Sequence, residues 1–335
     1  MAEKRKIIMD VDTGSDDAVA LMMAMLSDDI DLLGVTSVNG NLEVKLTTEN
    51  SLRMVEFCGM QDKIKVYRGA EYPLASTLLP TTAQSLTPIP MRENSLRKDY
   101  HHAAHIPTPS FTTHEADECA AVYLINTLLA SKDKEITIVA VGPMTNIALA
   151  IRADPRIVPK IRQIIMMAGG MEANHTPCAE FNSWVDPEAM EIVLQSGCDI
   201  TMTTLDSTHA AYMTEDDAER IRKIGTRESD FCADLILKYG STGDLSHVVG
   251  DSVHRIPIHD ALAVCAVVHP EVLKTEDWSC HVDISRGFAY GQTIVDRRNR
   301  PDGEKPNCHF GVGADKDLFV SWIIETLEKD KQKKS

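Results

Sequence analysis

The chain has 335 residues, 43% of them hydrophobic and 25% charged, with a formal charge of -16. This is the balance of a soluble globular chain with a sizeable core, and its acidic surplus argues against a nucleic-acid backbone or an anionic membrane as main partner, since binding either needs clustered Lys and Arg. Eight cysteines without a Cys-x-x-Cys pair fit reduced thiols better than a disulfide or zinc framework, and no stretch reads as a signal peptide or membrane span, so a cytoplasmic location is expected.

Residues 6–11 read as a buried strand that delivers Asp10, Asp12, Asp16 and Asp17 around Gly14, just before a helix that opens at Ala18. Carboxylates packed this closely repel one another, so a cation is expected among them, and an all-oxygen donor set points to a hard divalent ion. A second strand over 31–38 ends in Asn39-Gly40-Asn41, a helix runs through Asn50 and Phe57, and 63–67 is a short third strand. Such alternation is the mark of a parallel sheet with crossover helices.

Residues 71–114 break the rhythm with prolines, Thr, Ser, His101, His102, His105 and His114. The spacing of these histidines has no zinc-type regularity, and the segment is expected to be an irregular loop over the site. A helix over 116–130 and a strand over 135–141 follow. Gly142-Pro143-Met144-Thr145-Asn146 then opens a helix, with Thr145 or Asn146 as its cap. The strand 161–168 ends in Gly169-Gly170, a polar loop spans 172–182, and Asp186-Pro187-Glu188 leads another helix. Residues 199–204 form a strand, 214–224 and 229–240 helices, and 241–257 a second long loop. His259-Asp260 starts a buried helix over 261–268. Alternating residues in 278–284 and 290–295 read as an antiparallel hairpin, 315–327 as a closing helix, and 329–335 as a solvated tail. With no repeat or linker in sight, 1–335 is read as a single α/β domain, an open, mostly parallel sheet with flanking helices and an antiparallel edge near the C-terminus.

Asp12, Asn41, Val141, the loop after Gly170 and His259-Asp260 all lie at strand ends or at the helix starts that follow them. In an open α/β sheet those ends gather along one edge, where the ligand crevice forms. One acidic site is therefore expected, with Asp260 joining the acids of the first strand. A backbone carbonyl near Val141 and waters would complete an oxygen shell suited to Ca²⁺.

The stretch Asp10-Val11-Asp12-Thr13-Gly14-Ser15-Asp16-Asp17-Ala18 resembles the inosine/uridine-preferring nucleoside hydrolase family. So do Val38-Asn39-Gly40-Asn41, Gly142-Pro143-Met144-Thr145-Asn146, Met166-Met167-Ala168-Gly169-Gly170, Ala179-Glu180-Phe181-Asn182 and His259-Asp260, in the family's order over nearly the whole chain. The resemblance implies Ca²⁺-dependent hydrolysis of a ribonucleoside to ribose and free base, on a mostly parallel sheet assembled as a homodimer or homotetramer. By the same resemblance Asp12 is a Ca²⁺ ligand and the general base that activates a metal-bound water. Asp17, the Val141 carbonyl and Asp260 are further ligands, Asp260 lying also against the substrate. Asp16, Asn41, Asn174, Glu180 and Asn182 would hold the ribose, Met167 would lie on its face, and His259 would assist the departing base. Electron-rich groups around the sugar favour the positive charge of an oxocarbenium-like transition state. Asp10 is left to support the metal loop.

The base half of the pocket departs from the pattern. The family's His-Gly-x-x-Gly motif has no counterpart in the 91–97 region, and His247, with His254 second to it, is the candidate to cap the base. Two rivals are weighed. Asp10-Val11-Asp12-Thr13 also resembles the first motif of haloacid-dehalogenase-type Mg²⁺ phosphatases, and a nucleoside-binding protein without turnover would keep the same pocket.

Overall fold

The computed structural model describes residues 4–75, 78, 104–240, 254–298 and 303–334. β1 (Arg5–Val11) is apolar from Ile7 onward except at Asp10 and is buried over that whole length, as a strand covered on both faces must be. Its side chains alternate between two cores, Ile7, Met9 and Val11 entering one and Ile8 the other. Every residue of α1 (Ser15–Leu26), the helix that follows, is buried. The chain continues through β2 (Ile30–Ser37), α2 (Val44–Phe57), β3 (Val66–Arg68), α3 (Ala120–Ala130), β4 (Ile136–Ala140), α4 (Thr145–Ala153) and β5 (Ile161–Met166). Next come α5 (Phe181–Val185), α6 (Pro187–Leu194), β6 (Ile200–Met202), α7 (Leu205–Thr208), α8 (Glu215–Arg222), α9 (Arg227–Gly240) and α10 (His259–Val268). β7 (Leu273–Val282), β8 (Thr293–Asp296), β9 (Cys308–Ala314) and α11 (Lys316–Lys334) complete it.

The strands form one sheet in the order β3-β2-β1-β4-β5-β6-β9-β7-β8. The run from β3 to β9 is parallel; β7 is antiparallel to β9, and β8 to β7. The chain walks outward from β1 to β3, then returns to β4 on the other side of β1. The crevice between the carboxyl ends of β1 and β4 is thus the topological switch point, the place where such sheets bind ligands. α1, α9, α10 and α11 cover one face, and α3, α4 and α6 the other.

The expected fold class is the observed one, with local differences. The hairpin is present as β7 and β8, paired from Ser279↔Asp296 to Val282↔Thr293, but β7 begins at Leu273, well before the expected start. β9 was not expected at all. Gly311 and Gly313 interrupt its apolar pattern, yet it lies in the sheet interior between β6 and β7, with Phe310 fully buried. The Lys-rich end is a docked helix rather than a solvated tail, because its ammonium groups find partners on the body. Lys334 pairs with Asp330 and with buried Glu228, and Lys333 with Asp28.

Of the first long loop, residues 104–114 pack on α2. The Asn50 side chain donates to Ala104 O and accepts from Ile106 N, and Glu56 accepts from Thr112 and Thr113. His105 faces Glu49 at 3.3 Å. His101, His102 and most of the remainder of that loop, like most of 241–257, lie outside the described residues. Among the described residues no helix is long and apolar enough to cross a membrane.

Candidate active site

β1 ends by placing Asp12 between two glycines. A Cβ on Gly40 would collide with the Asp12 carboxylate, and one on Gly142 would press on the Asp12 backbone and Oδ1, so only glycine allows both loops to close around this side chain. Asp12 Oδ2 accepts from the Asn41 backbone N–H at 2.6 Å. Asp17, in the first turn of α1, accepts from the backbone of Asp12 at 3.1 Å and of Gly14 at 2.9 Å, and from Asn41 Nδ2 at 3.2 Å. The loop is thereby tied to its own helix start, whose positive end favours acids in the first turn.

α10 brings Asp260 to the same place from the far end of the chain. Carboxylate oxygens of Asp16, Asp17 and Asp260, all buried, lie within 4.8 Å of one another. Burial, then repulsion by Asp17 and Asp16, holds the Asp12 carboxyl well above the usual carboxylate range. Burial, then Asp16, Asp17 and Asp12, does the same to Asp260. Asp12 Oδ1 is buried with no hydrogen-bond partner among the described residues, and so is Asn182 Oδ1. Crowded carboxylates beside orphaned buried acceptors form a set that suits a hard cation and a ligand rich in hydroxyl donors.

The other side of the crevice comes from β4, β5 and α5. Asn182 Nδ2 donates to Val141 O at 2.8 Å and to Met167 O at 2.9 Å, which fixes the amide orientation and turns its oxygen away from the two carbonyls. Met167 is buried beside it, its sulfur 3.7 Å from that nitrogen. Glu180 caps α5, its two oxygens accepting from the backbone of Gly169, Asn182 and Ser183 at 2.8–2.9 Å. Burial pushes its carboxyl up, partly offset by those bonds. Asn174 is exposed on the preceding loop and accepts from Phe181 N at 3.0 Å. His259 Nδ1 is 2.7 Å from Thr208 Oγ1.

The structure thus gathers Asp12, Asp16, Asp17, Asn41 and Asp260 into one cluster, and ties Val141, Met167, Glu180 and Asn182 to one another. His254 instead pairs at 3.6 Å with Glu215 on α8, and His247 lies outside the described residues. Neither Thr145 nor Asn146 caps α4. Asn146 reaches under the site, donating to Asp10 Oδ1 at 2.7 Å and to Ser37 O at 3.0 Å while accepting from Ala70 N at 2.8 Å. Asp10 and Asn146 together knit three strand ends beneath Asp12, and burial pushes the Asp10 carboxyl up to about 7. Thr145 donates at 2.6 Å to Asp186. Neither link carries a sequence signal beyond a polar residue in an apolar setting.

The description of the inosine-uridine preferring nucleoside hydrolases matches residues 7–321. The chain belongs to that family and is a nucleoside hydrolase, an enzyme that cleaves the N-glycosidic bond of ribonucleosides. It is similar to the pyrimidine-specific ribonucleoside hydrolase RihB of Escherichia coli and of Shigella flexneri, 35% identical in each case over 97% of both chains. Among solved structures it is similar to a plant nucleoside hydrolase, with a TM-score of 0.84 at 27% identity, and to a purine-preferring ribonucleoside hydrolase from Gardnerella vaginalis, with a TM-score of 0.81 at 27% identity. Each match covers 97% of this chain and 99% of the other. A full-length match of this kind sets the phosphatase resemblance aside.

Proposed function

We propose that the chain is a Ca²⁺-dependent, single-domain ribonucleoside hydrolase whose reaction runs in the switch-point crevice. The observation that carries this is the buried meeting of Asp16, Asp17 and Asp260 beside the orphaned Asp12 Oδ1. Asp12, Asp17, Asp260 and the second lone pair of the Val141 carbonyl would hold the ion; bound there, it supplies charge neutralisation and a seat for vicinal sugar hydroxyls. Asp12 Oδ1 takes the proton of the attacking water. Asp16, Asn41, Asn174, Glu180 and Asn182 hold the ribose, with Met167 and Asp260 against it. Their oxygens favour the positive charge that develops on the sugar as the bond to the base lengthens. His259 gives a proton to the departing base, and His247 caps that base.

Relatives at 35% identity are named for pyrimidine nucleosides, so uridine and cytidine are the substrates proposed first. The reading extends to a homodimer or homotetramer working in nucleoside salvage in the cytoplasm, where eight unbonded cysteines would remain reduced. The test is a reducing-sugar assay across purine and pyrimidine ribonucleosides, with p-nitrophenyl phosphate as control. Ribose should appear from the nucleosides, vanish on chelation and return with Ca²⁺. Persistence of activity in chelator would refute the metal site. A protein that binds nucleosides and releases no ribose would be the binding-only rival.

A further inference from the structure

α7 is a single helical turn, held at both sides: Leu205 N donates to Gly169 O at 3.0 Å, and Thr204 just before it donates to Gly311 O at 2.6 Å. From this anchored turn Thr208, itself buried, meets the buried ring of His259 at 2.7 Å. The same hydroxyl lies 3.3 Å from Leu205 O, three residues back in its own helix. A helical threonine gives its hydrogen to such a carbonyl, which leaves Thr208 Oγ1 to accept from Nδ1–H. The partner of one imidazole nitrogen sets the role of the other. His209, with its ring centroid 5.7 Å from that of His259, has its own Nδ1 against Glu172 and does not compete for Thr208.

We propose that Thr208 is the positioning residue of His259, holding Nδ1 so that only Nε2 can deliver a proton to the leaving base. This rests on the reading of His259 as the group that protonates that base. As the bond from C1′ to the base nitrogen breaks, its electron pair goes to the base and the Nε2 proton of the His259 imidazolium joins it, leaving a neutral ring whose remaining hydrogen stays on Nδ1 against Thr208. Water oxygen bonds C1′ and gives its proton to Asp12.

The test compares uridine or inosine with p-nitrophenyl β-D-ribofuranoside, whose leaving group departs as a stable anion and needs no proton. Thr208→Val should lower kcat on nucleosides about tenfold or more with little change in KM, and leave the aryl riboside unaffected. Thr208→Ser, which keeps the hydroxyl, should restore nucleoside turnover. His259→Ala should show a larger loss with the same selectivity, and adding Thr208→Val to it should cost nothing more. An equal loss on both substrates in Thr208→Val, or none on either, would overturn the positioning role while a selective His259→Ala leaves the acid reading standing. A His259→Ala variant without selectivity would sink both.

Discussion

At the residue scale, the proposed chemistry turns on Asp12 and on how little freedom it has. Oδ2 is held by the Asn41 amide with Gly40 packed against it, and Gly142 closes in beside Oδ1. Asn at this position keeps the volume and one oxygen but cannot accept the proton of an attacking water. Asp12→Asn is therefore expected to lower kcat by at least about 10²-fold while KM changes comparatively little. Steady-state kinetics on uridine or inosine would measure this, and an unchanged kcat would remove Asp12 from the role of base.

At the scale of elements, Asp186 shows how the helices around the crevice are locked. It caps α6 through Ala189 N at 3.1 Å and accepts from Thr145 at 2.6 Å and from Leu74 N at 2.9 Å. Burial pushes its carboxyl up to about 6. Asp186→Ala removes the cap and strands two donors, so chemical denaturation should show a loss of about 2–3 kcal/mol. The helix start here was legible in the sequence as Asp-Pro-Glu, and its ties to Thr145 and Leu74 were not. The same division runs through the molecule. The acids of the first loop could be read because they crowd a single stretch, and the strands because buried parallel strands are continuous apolar runs. β9 escaped because its glycines dilute that run, and Thr208 and Asn146 escaped because a side chain's partner across the fold leaves no periodic trace. Asn146 looks locally like a helix cap; tertiary contact with Asp10 sends it elsewhere.

At the scale of the whole molecule, the buried acids couple folding to pH and to cation binding. Asp10, Asp12, Asp186 and Asp260 all have carboxyls raised by burial. The folded, metal-free chain therefore retains protons that an unfolded chain has released by about pH 4. Their stabilisation is complete below that value and is lost as pH climbs through the folded values, about 6 for Asp186 and about 7 for Asp10. A cation bound at the cluster would reverse the trend there, because it would bind the charged carboxylates and displace their protons. The melting temperature of chelator-treated protein should fall from about pH 5 to about pH 8, and the gap to Ca²⁺-loaded protein should widen over the same range. A gap that stays constant with pH would count against proton displacement by the ion.

The order of the sheet has a further consequence during synthesis on the ribosome. Among the described strands β9 is made after all the others, yet its seat is between β6 and β7, both made before it. Until residues 308–314 emerge, β6 presents a bare edge and the slot for Phe310 stands open to water. The nascent protein can thus assemble β1 to β5 around the acidic crevice early, while its sheet is sealed only once β9 has left the exit tunnel. Chains released short of β9 would be the ones that chaperones must intercept.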